Sequence, residues 1–381
     1  MNSVHDFRGQ LLREDLYDIS TKNYVDQVKD KKPVVIWGSC STGQLVYELF
    51  EKFGISENIE YFADNSPNKW GTEQNGLPVL NPDEVVRLAK NNPDVYIIIS
   101  ALHQSDIYRQ LRSLGIEDHN IDVQGFGLAR GYWTYRQETP YRIIEAHLED
   151  YEKVYSLLED ERSKSVYLGI LNYKISLDNQ YMADISSPPE EQYFEHDIIR
   201  IKSNEVFCDC GSFNGDTLES FMNHSGGAYR KYIAIEADQY IFKELNDKVS
   251  SNGYESVQTY NVACWNEKTI LKFESDQSSG HITDSGSISV AADTLDNLLK
   301  DEEITFLKMD IEGAEERALI GANEIIQKYK PTLAICLYHS LEDYYKLPLL
   351  IKKLNPDYRL FVRHYKDRVD VETVCYAIPK Q

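Results

Sequence analysis

The chain has 381 residues, long enough for two domains with a core each, and an apolar fraction of 42% that supports globular folding throughout. Its 40 basic against 62 acidic side chains give a formal net charge of -22, which repels phosphate backbones and anionic membranes at long range and argues against generic nucleic-acid binding. The amino-terminal stretch M-N-S-V-H-D-F-R-G-Q lacks the apolar core of a signal peptide, and runs such as Tyr96 to Ile99 or Leu333 to Tyr338 are too short to span a bilayer, so a soluble cytoplasmic protein is expected.

The first half alternates strand and helix between Lys31 and Ile121. Pro33 to Trp37 reads as a buried strand, Gly38 to Gly43 as a turn, Gln44 to Phe53 as a helix, and Ile59 to Ala63 as a second strand ending at Asp64. This is the strand, turn, helix, strand, acid order of a dinucleotide fingerprint. Cys40, however, replaces the middle glycine, where a pyrophosphate needs close backbone approach, and this argues against an oxidoreductase built on this module. Asn81-Pro82-Asp83-Glu84 opens a capped helix and Asp94 to Ser100 makes the next strand. Residues 131–191 then show helical charge patterning, expected as a connector packing against both halves and broken at Ser187-Pro188-Pro189. Tyr193, just beyond, has two readings: a residue near a cofactor mouth, or an aromatic packed ahead of the next strand.

A second strand, turn and helix begin at Glu205. The run E-V-F-C-D-C leads into Gly211-Ser212-Phe213-Asn214-Gly215, with a helix from Asp216 and a strand Tyr232 to Ile235 ending at Glu236. In an open parallel sheet ligands sit at such carboxyl ends, turn glycines allow close backbone approach, and the second acid can accept both ribose hydroxyls. Further elements are expected at Gln239 to Ser250, Val257 to Trp265, Thr269 to Glu274, Ile288 to Ala292, Asp293 to Lys300, Thr305 to Met309, Glu315 to Tyr329, Thr332 to Leu337 and Glu342 to Leu354. A terminal hairpin of Tyr358 to Arg363 with Glu372 to Ile378 closes the chain, and Ser275 to Ser287 reads as a mobile loop. Seven strands ending in a hairpin fit a class I methyltransferase sheet better than a six-stranded NAD-type sheet. Cys208 and Cys210 alternate on one strand face without a second pair at zinc-ribbon spacing, so buried thiols are expected. The 27 tyrosines carry no functional weight on their own.

Two resemblances follow from these motifs. G-S-C-S-T-G, F-A-D-N-S-P-N-K-W-G and G-L-P-V-L resemble the small Rossmann-like domain at the front of some sugar acyltransferases and two-domain methyltransferases. That resemblance implies nucleotide-sugar binding, with an inert structural module as the equal alternative. D-C-G-S-F-N-G-D-T, I-A-I-E-A-D, N-V-A-C-W, A-D-T-L-D-N-L-L, F-L-K-M-D-I-E-G-A-E, L-Y-H-S, R-H-Y-K and E-T-V-C-Y-A-I-P resemble, in order and spacing, FkbM-type S-adenosylmethionine-dependent methyltransferases over roughly Gln192 to Lys380. The implied architecture is α/β: a Rossmann-like domain over 1–130, a helical connector over 131–191, and a seven-stranded class I methyltransferase domain over 192–381.

The resemblance implies methyl transfer, usually to a hydroxyl of a sugar or polyketide-like product, and the favoured reading here is O-methylation of a sugar, nucleotide-sugar or glycan. The alternative is a protein that binds nucleotide-sugar and S-adenosylmethionine without catalysis. Glu236 would take the ribose, with Ala237 beside it. Asp209, Gly211, Ser212, Phe213, Asn214, Gly215 and Thr217 would surround the amino-acid portion, Val262 and Ala263 would border adenine, and Asp310 would add a carboxylate that favours a cationic sulfonium. His339 is the candidate base because an unperturbed imidazole suits proton acceptance near neutrality, with Asp310 and Glu312 as alternatives. His364 either contacts substrate or packs in the hairpin. No metal is assigned, although acids near Asp310 could hold a divalent ion in an acceptor complex. Expected partners are a small-molecule or glycan acceptor, with a homo-oligomer left open and neither nucleic acid nor membrane span.

Overall fold

The structure is a computed structural model and describes residues 6–101, 104–275, 280–366 and 369–380. In the first half, β1 (Val34–Trp37), β2 (Ile59–Ala63), β3 (Glu73–Gln74), β4 (Leu77–Leu80), β5 (Tyr96–Ile99) and β6 (Ile121–Asp122) form a six-stranded sheet in the order β3-β4-β2-β1-β5-β6. All pairs are parallel except β3 with β4. Every residue of V-V-I-W in β1 is buried, as a parallel strand covered by helices on both faces requires. The expected capped helix is present over Pro82–Asn91. Asn81 Oδ1 accepts from Glu84 N at 2.9 Å while Glu84 Oε2 accepts from Asn81 N at 2.9 Å, a reciprocal capping box.

The connector contains the helices Pro140–Ala146, Leu148–Leu157 and Glu161–Ser176. An earlier helix, Gly125–Thr134, crosses the boundary expected at 130/131. The connector packs on both halves, as anticipated. Asn172 bridges Leu12 N and Gln10 O at 2.9 and 3.0 Å, whereas Tyr151 donates to Leu341 O and Ser163 Oγ accepts from Val362 N. One apolar cluster consequently runs from Val34 and Ile36, through Tyr151, Tyr167 and Ile170, to Leu307, Leu333 and Val362.

The second half builds two sheets. β7 (Val206–Cys210), β8 (Lys231–Glu236), β9 (Val257–Asn261), β14 (Phe306–Met309), β15 (Thr332–Cys336), β16 (Arg359–His364) and β17 (Thr373–Ile378) lie in the order β16-β17-β15-β14-β7-β8-β9, with β17 antiparallel to both neighbours. A smaller sheet of β10 (Ala263–Cys264), β11 (Thr269–Glu274), β12 (His281–Ile282) and β13 (Ile288–Asp293) is inserted after β9.

The single strand expected over Val257 to Trp265 therefore divides between the two sheets. Asn261 Nδ2 donates to the carbonyls of Glu236 and Ala237 at 2.9 and 3.1 Å, which pins the chain where it leaves β9. The helix expected over Glu315 to Tyr329 is likewise two, Glu315–Ile320 and Asn323–Tyr329. The Asp296 carboxylate accepts from Glu324 N and Ile325 N, both at 2.9 Å, and so caps the second one. In the expected mobile loop, residues 276–279 lie outside the described residues, and His281 and Ile282 belong to β12. Among the described residues no helix is long and apolar enough to cross a membrane.

Candidate functional site

In the seven-stranded sheet the connections leave in opposite directions on either side of β7 and β14, so a crevice opens at their carboxyl ends. Gly211, the first residue after β7, has φ +81°, and a Cβ there would lie 1.8 Å from the carbonyl oxygen of Asp310, the first residue after β14. The glycine thus serves the approach of two backbones as well as any ligand. The turn continues through Phe213 at φ +44° and Gly215 at φ +83°. Glu236, at the end of β8, closes it: Oε2 accepts from Phe213 N at 3.0 Å and Oε1 from Asp238 N at 2.8 Å. Burial raises the Glu236 pKa against those two hydrogen bonds, and each oxygen keeps a lone pair for a further donor.

A cavity of about 840 Å³ occupies this crevice. Of the residues expected at a cofactor, Gly211, Phe213, Thr217, Glu236, Ala237, Val262, Ala263 and Asp310 line it. Asp209, Ser212, Asn214 and Gly215 are not among its lining residues, for physical reasons. Asp209 is fully buried, paired to Lys308 Nζ at 2.9 Å and accepting from Tyr232 OH at 2.5 Å. Ser212 Oγ spans Asp209 O and Ile235 N, holding β7 to β8. Gly215 donates to Ser212 O inside the turn, and its Cβ position faces Leu245 and Lys248. Asn214, between them, is partly exposed.

The expected acceptor-side residues Asp310, Glu312 and His339 all line the cavity. Asp310 accepts from Tyr193 OH at 2.9 Å and Tyr338 OH at 2.8 Å. Burial acts to raise its pKa, but His339 and Lys308 outweigh burial and hold the carboxyl below its ordinary range. Glu312 sits at φ +55° in the turn after β14.

His339 does not keep the unperturbed pKa that recommended it as a base. Its Nδ1 is 3.1 Å from Glu315 Oε1, and its Nε2 is 3.4 Å from Asp310 Oδ1 and 3.5 Å from Glu312 Oε2. Burial disfavours the charged ring, yet the carboxylates of Glu315 and Asp310 prevail and raise its pKa well above 6.5. His364 is fully buried, with Nδ1 2.9 Å from Thr373 Oγ1, and belongs to the hairpin packing.

Several lining residues were not anticipated. Lys308 is 2% exposed in the middle of an apolar strand and also donates to Gly211 O at 2.7 Å; a lysine inside F-L-K-M was a readable signal. Tyr193, which was anticipated, has a buried ring and a hydroxyl that donates to Asp310 at the cavity. Glu372 also lines the cavity, accepting from Gln192 Nε2 at 2.5 Å. Burial and the charge of Asp310 push its pKa up to about 7. Glu372 opens the E-T-V-C-Y-A-I-P run at φ +63° just before β17, and only the sheet order brings it to the cavity.

The first half reaches the same cavity through Ser41, Thr42, Leu45, Phe126 and Arg130. Its own fingerprint acid is occupied: Asp64 accepts from Ser39 N, Ser66 N and Lys69 Nζ at 2.9 to 3.0 Å. Cys40 Sγ lies 3.1 Å from Thr42 Oγ1. Cys40 is exposed and the other five cysteines are buried, including the Cys208 and Cys210 pair expected to be so.

The fold is that of an α/β protein with methyltransferase structural neighbours. Residues 209–369 match the methyltransferase FkbM domain. Among solved structures, methyltransferase FkbM from Methylobacillus flagellatus KT is similar at 20% identity with a TM-score of 0.63, over 95% of this chain and 98% of that one, a likeness of fold. An rRNA methylase from Streptococcus thermophilus matches at 12% identity and TM-score 0.33, over 54% of this chain and 95% of that one. Fibrillarin from Aeropyrum pernix, solved with bound S-adenosyl-L-methionine, matches at 11% and 0.33, over 48% and 70%. No curated protein matches the chain.

Proposed function

We propose that the chain is an S-adenosylmethionine-dependent methyltransferase that methylates a hydroxyl of a sugar, nucleotide-sugar or glycan. The observation that carries this reading is the acid-lined cavity at the carboxyl ends of β7, β8 and β14, strands that lie largely within the segment that matches the FkbM domain. The residues present suit a cationic cofactor. Asp216, Glu236, Asp310, Glu312 and Glu372 line the cavity against three basic residues, of which Lys308 is committed to Asp209 and Arg130 is paired with Asp370, with Lys366 the third, so acids still outnumber bases.

When bound, S-adenosylmethionine supplies an activated methyl group on a sulfonium. Glu236 would accept hydrogen bonds from the ribose hydroxyls, Ala237, Val262 and Ala263 would border the base, and the backbone from Gly211 to Phe213 would hold the amino-acid end. Because charge is neutralised in the displacement, much of the catalysis comes from holding the acceptor oxygen in line. Asp310, fixed by Tyr193 and Tyr338, orients that hydroxyl together with Glu312. His339 offsets the surrounding carboxylates, and Glu372, poised near neutrality, takes the hydroxyl proton.

The module over 1–130 contributes Ser41, Thr42 and Arg130 to the same cavity and there helps to place the rest of the acceptor. The test is incubation of the full chain with S-adenosylmethionine and a panel of sugars, nucleotide-sugars and glycan fragments. A product heavier by one methylene, with transfer to oxygen established by NMR, is expected. Cofactor binding without turnover on any hydroxyl acceptor would support the binding-protein alternative.

A further inference from the structure

Asp310, Glu315 and His339 bring one ligand atom each within 4.8 Å of one another. They come from separate places: the end of β14, the first residue of the helix Glu315–Ile320, and the loop after β15. The His339 side chain is 7% exposed, and neither ring nitrogen has a hydrogen-bond partner. Both nitrogens instead face carboxylate oxygens at 3.1 to 3.5 Å. Glu315 is 1% exposed, and its Oε2 also lacks a hydrogen-bond partner. The ion pairs hold the cluster together, but the ring nitrogens and Glu315 Oε2 keep ligand capacity that no hydrogen bond uses, which a bound cation would take up.

The carboxylates are already oriented from outside the cluster. Tyr193 and Tyr338 hydroxyls donate to the two oxygens of Asp310, and Ile311 N donates to Glu315 Oε1 at 2.8 Å. Such outer hydrogen bonds are what fixes metal-ligating side chains.

We propose that Asp310, Glu315 and His339 form a binding site for a divalent transition-metal cation, with Glu312 at its cavity-facing edge. One imidazole with carboxylates suits Mn²⁺, Co²⁺ or Zn²⁺ better than Ca²⁺ or Mg²⁺, which favour all-oxygen shells. A divalent ion also balances more of the carboxylate charge than the single proton of an imidazolium does. Asp310, Glu312 and His339 border the cavity, so the remaining coordination positions open toward it, where a water or a hydroxyl completes the shell. The site shares Asp310, Glu312 and His339 with the acceptor side of the proposed reaction, but its loading does not require S-adenosylmethionine.

The experiment is a titration of MnCl₂ alone into the chelator-treated full chain, following free Mn²⁺ by electron paramagnetic resonance. One ion per chain is expected, with a dissociation constant in the micromolar range. Glu315→Gln and His339→Gln should each weaken binding by at least about tenfold. The bound ion in the unaltered chain should show ¹⁴N modulation from an imidazole, a readout that does not depend on any variant folding. No depletion of free Mn²⁺, a bound ion without ¹⁴N modulation, or equal binding by folded variants would overturn the proposal. So would loss of binding on Glu191→Gln instead, which would place the ion at the separate Glu191, Glu195 and Asp197 cluster.

Discussion

Lys308 Nζ lies 2.9 Å from Asp209 Oδ1 beneath the turn that follows β7, with side chains 2% and 0% exposed. The same ammonium donates to Gly211 O, so one buried charge joins β14 to the strand end and the glycine turn. Burial would lower the lysine pKa, but Asp209 and Asp310 outweigh it and keep the ammonium charged. The aspartate that the sequence offers as a cofactor contact is therefore part of the floor that shapes the site.

Lys308→Met should destabilise the chain by about 3–5 kcal/mol, because it leaves Asp209 buried without its cation. Chemical denaturation of the full chain measures this. A loss below about 1 kcal/mol would show that the pair does not hold the turn.

Glu236→Ala should weaken S-adenosylmethionine binding at least about tenfold, on the order of 1.4 kcal/mol or more, through lost ribose hydrogen bonds and a loosened Phe213 turn. Glu236→Gln, of nearly the same shape, should weaken it less. Unchanged affinity in Glu236→Ala by calorimetry would remove the ribose assignment.

With its pKa near 7, Glu372 is mostly protonated in the folded chain below that pH, whereas an ordinary glutamate ionises near 4.5. Between these values the folded state binds the extra proton, so this residue's contribution to stability falls as pH rises from about 4.5 to 7 and levels off above. Burial and then the charge of Asp310 drive the rise, and the Gln192 hydrogen bond, Lys366 and Lys308 oppose it. As the proton acceptor, Glu372 should give kcat/KM an ascending limb near pH 7 that disappears, along with most activity, in Glu372→Gln. A limb unchanged in that variant would assign it to another group.

His339→Gln should reduce turnover while leaving S-adenosylmethionine affinity within about twofold, since its nitrogens face carboxylates on the acceptor side. Steady-state kinetics with calorimetry checks both halves. Full turnover in the variant would take His339 out of the reaction.

What could be read beforehand follows from which signals are local. Continuous apolar runs such as V-V-I-W and Y-I-I-I gave buried strands, and strand-end acids located Glu236 and Asp310 at the cavity. β9 and β10 part into different sheets where Asn261 Nδ2 donates to the Glu236 and Ala237 carbonyls, a contact that spacing does not encode. Glu372 and Glu315 are distant in sequence from the glycine turn and reach the site only through the sheet order. The shift of His339 comes from Glu315 and Asp310, which lie well before it in the chain and outweigh burial, so its intrinsic pKa was a poor guide.

The most direct test of the central claim is calorimetric titration of the full chain with S-adenosylmethionine, with NAD and a UDP-sugar titrated in parallel. The account predicts one saturable S-adenosylmethionine site per chain that Glu236→Ala weakens, and no binding of NAD. Absence of S-adenosylmethionine binding by the folded chain, or preferential binding of NAD, would contradict it.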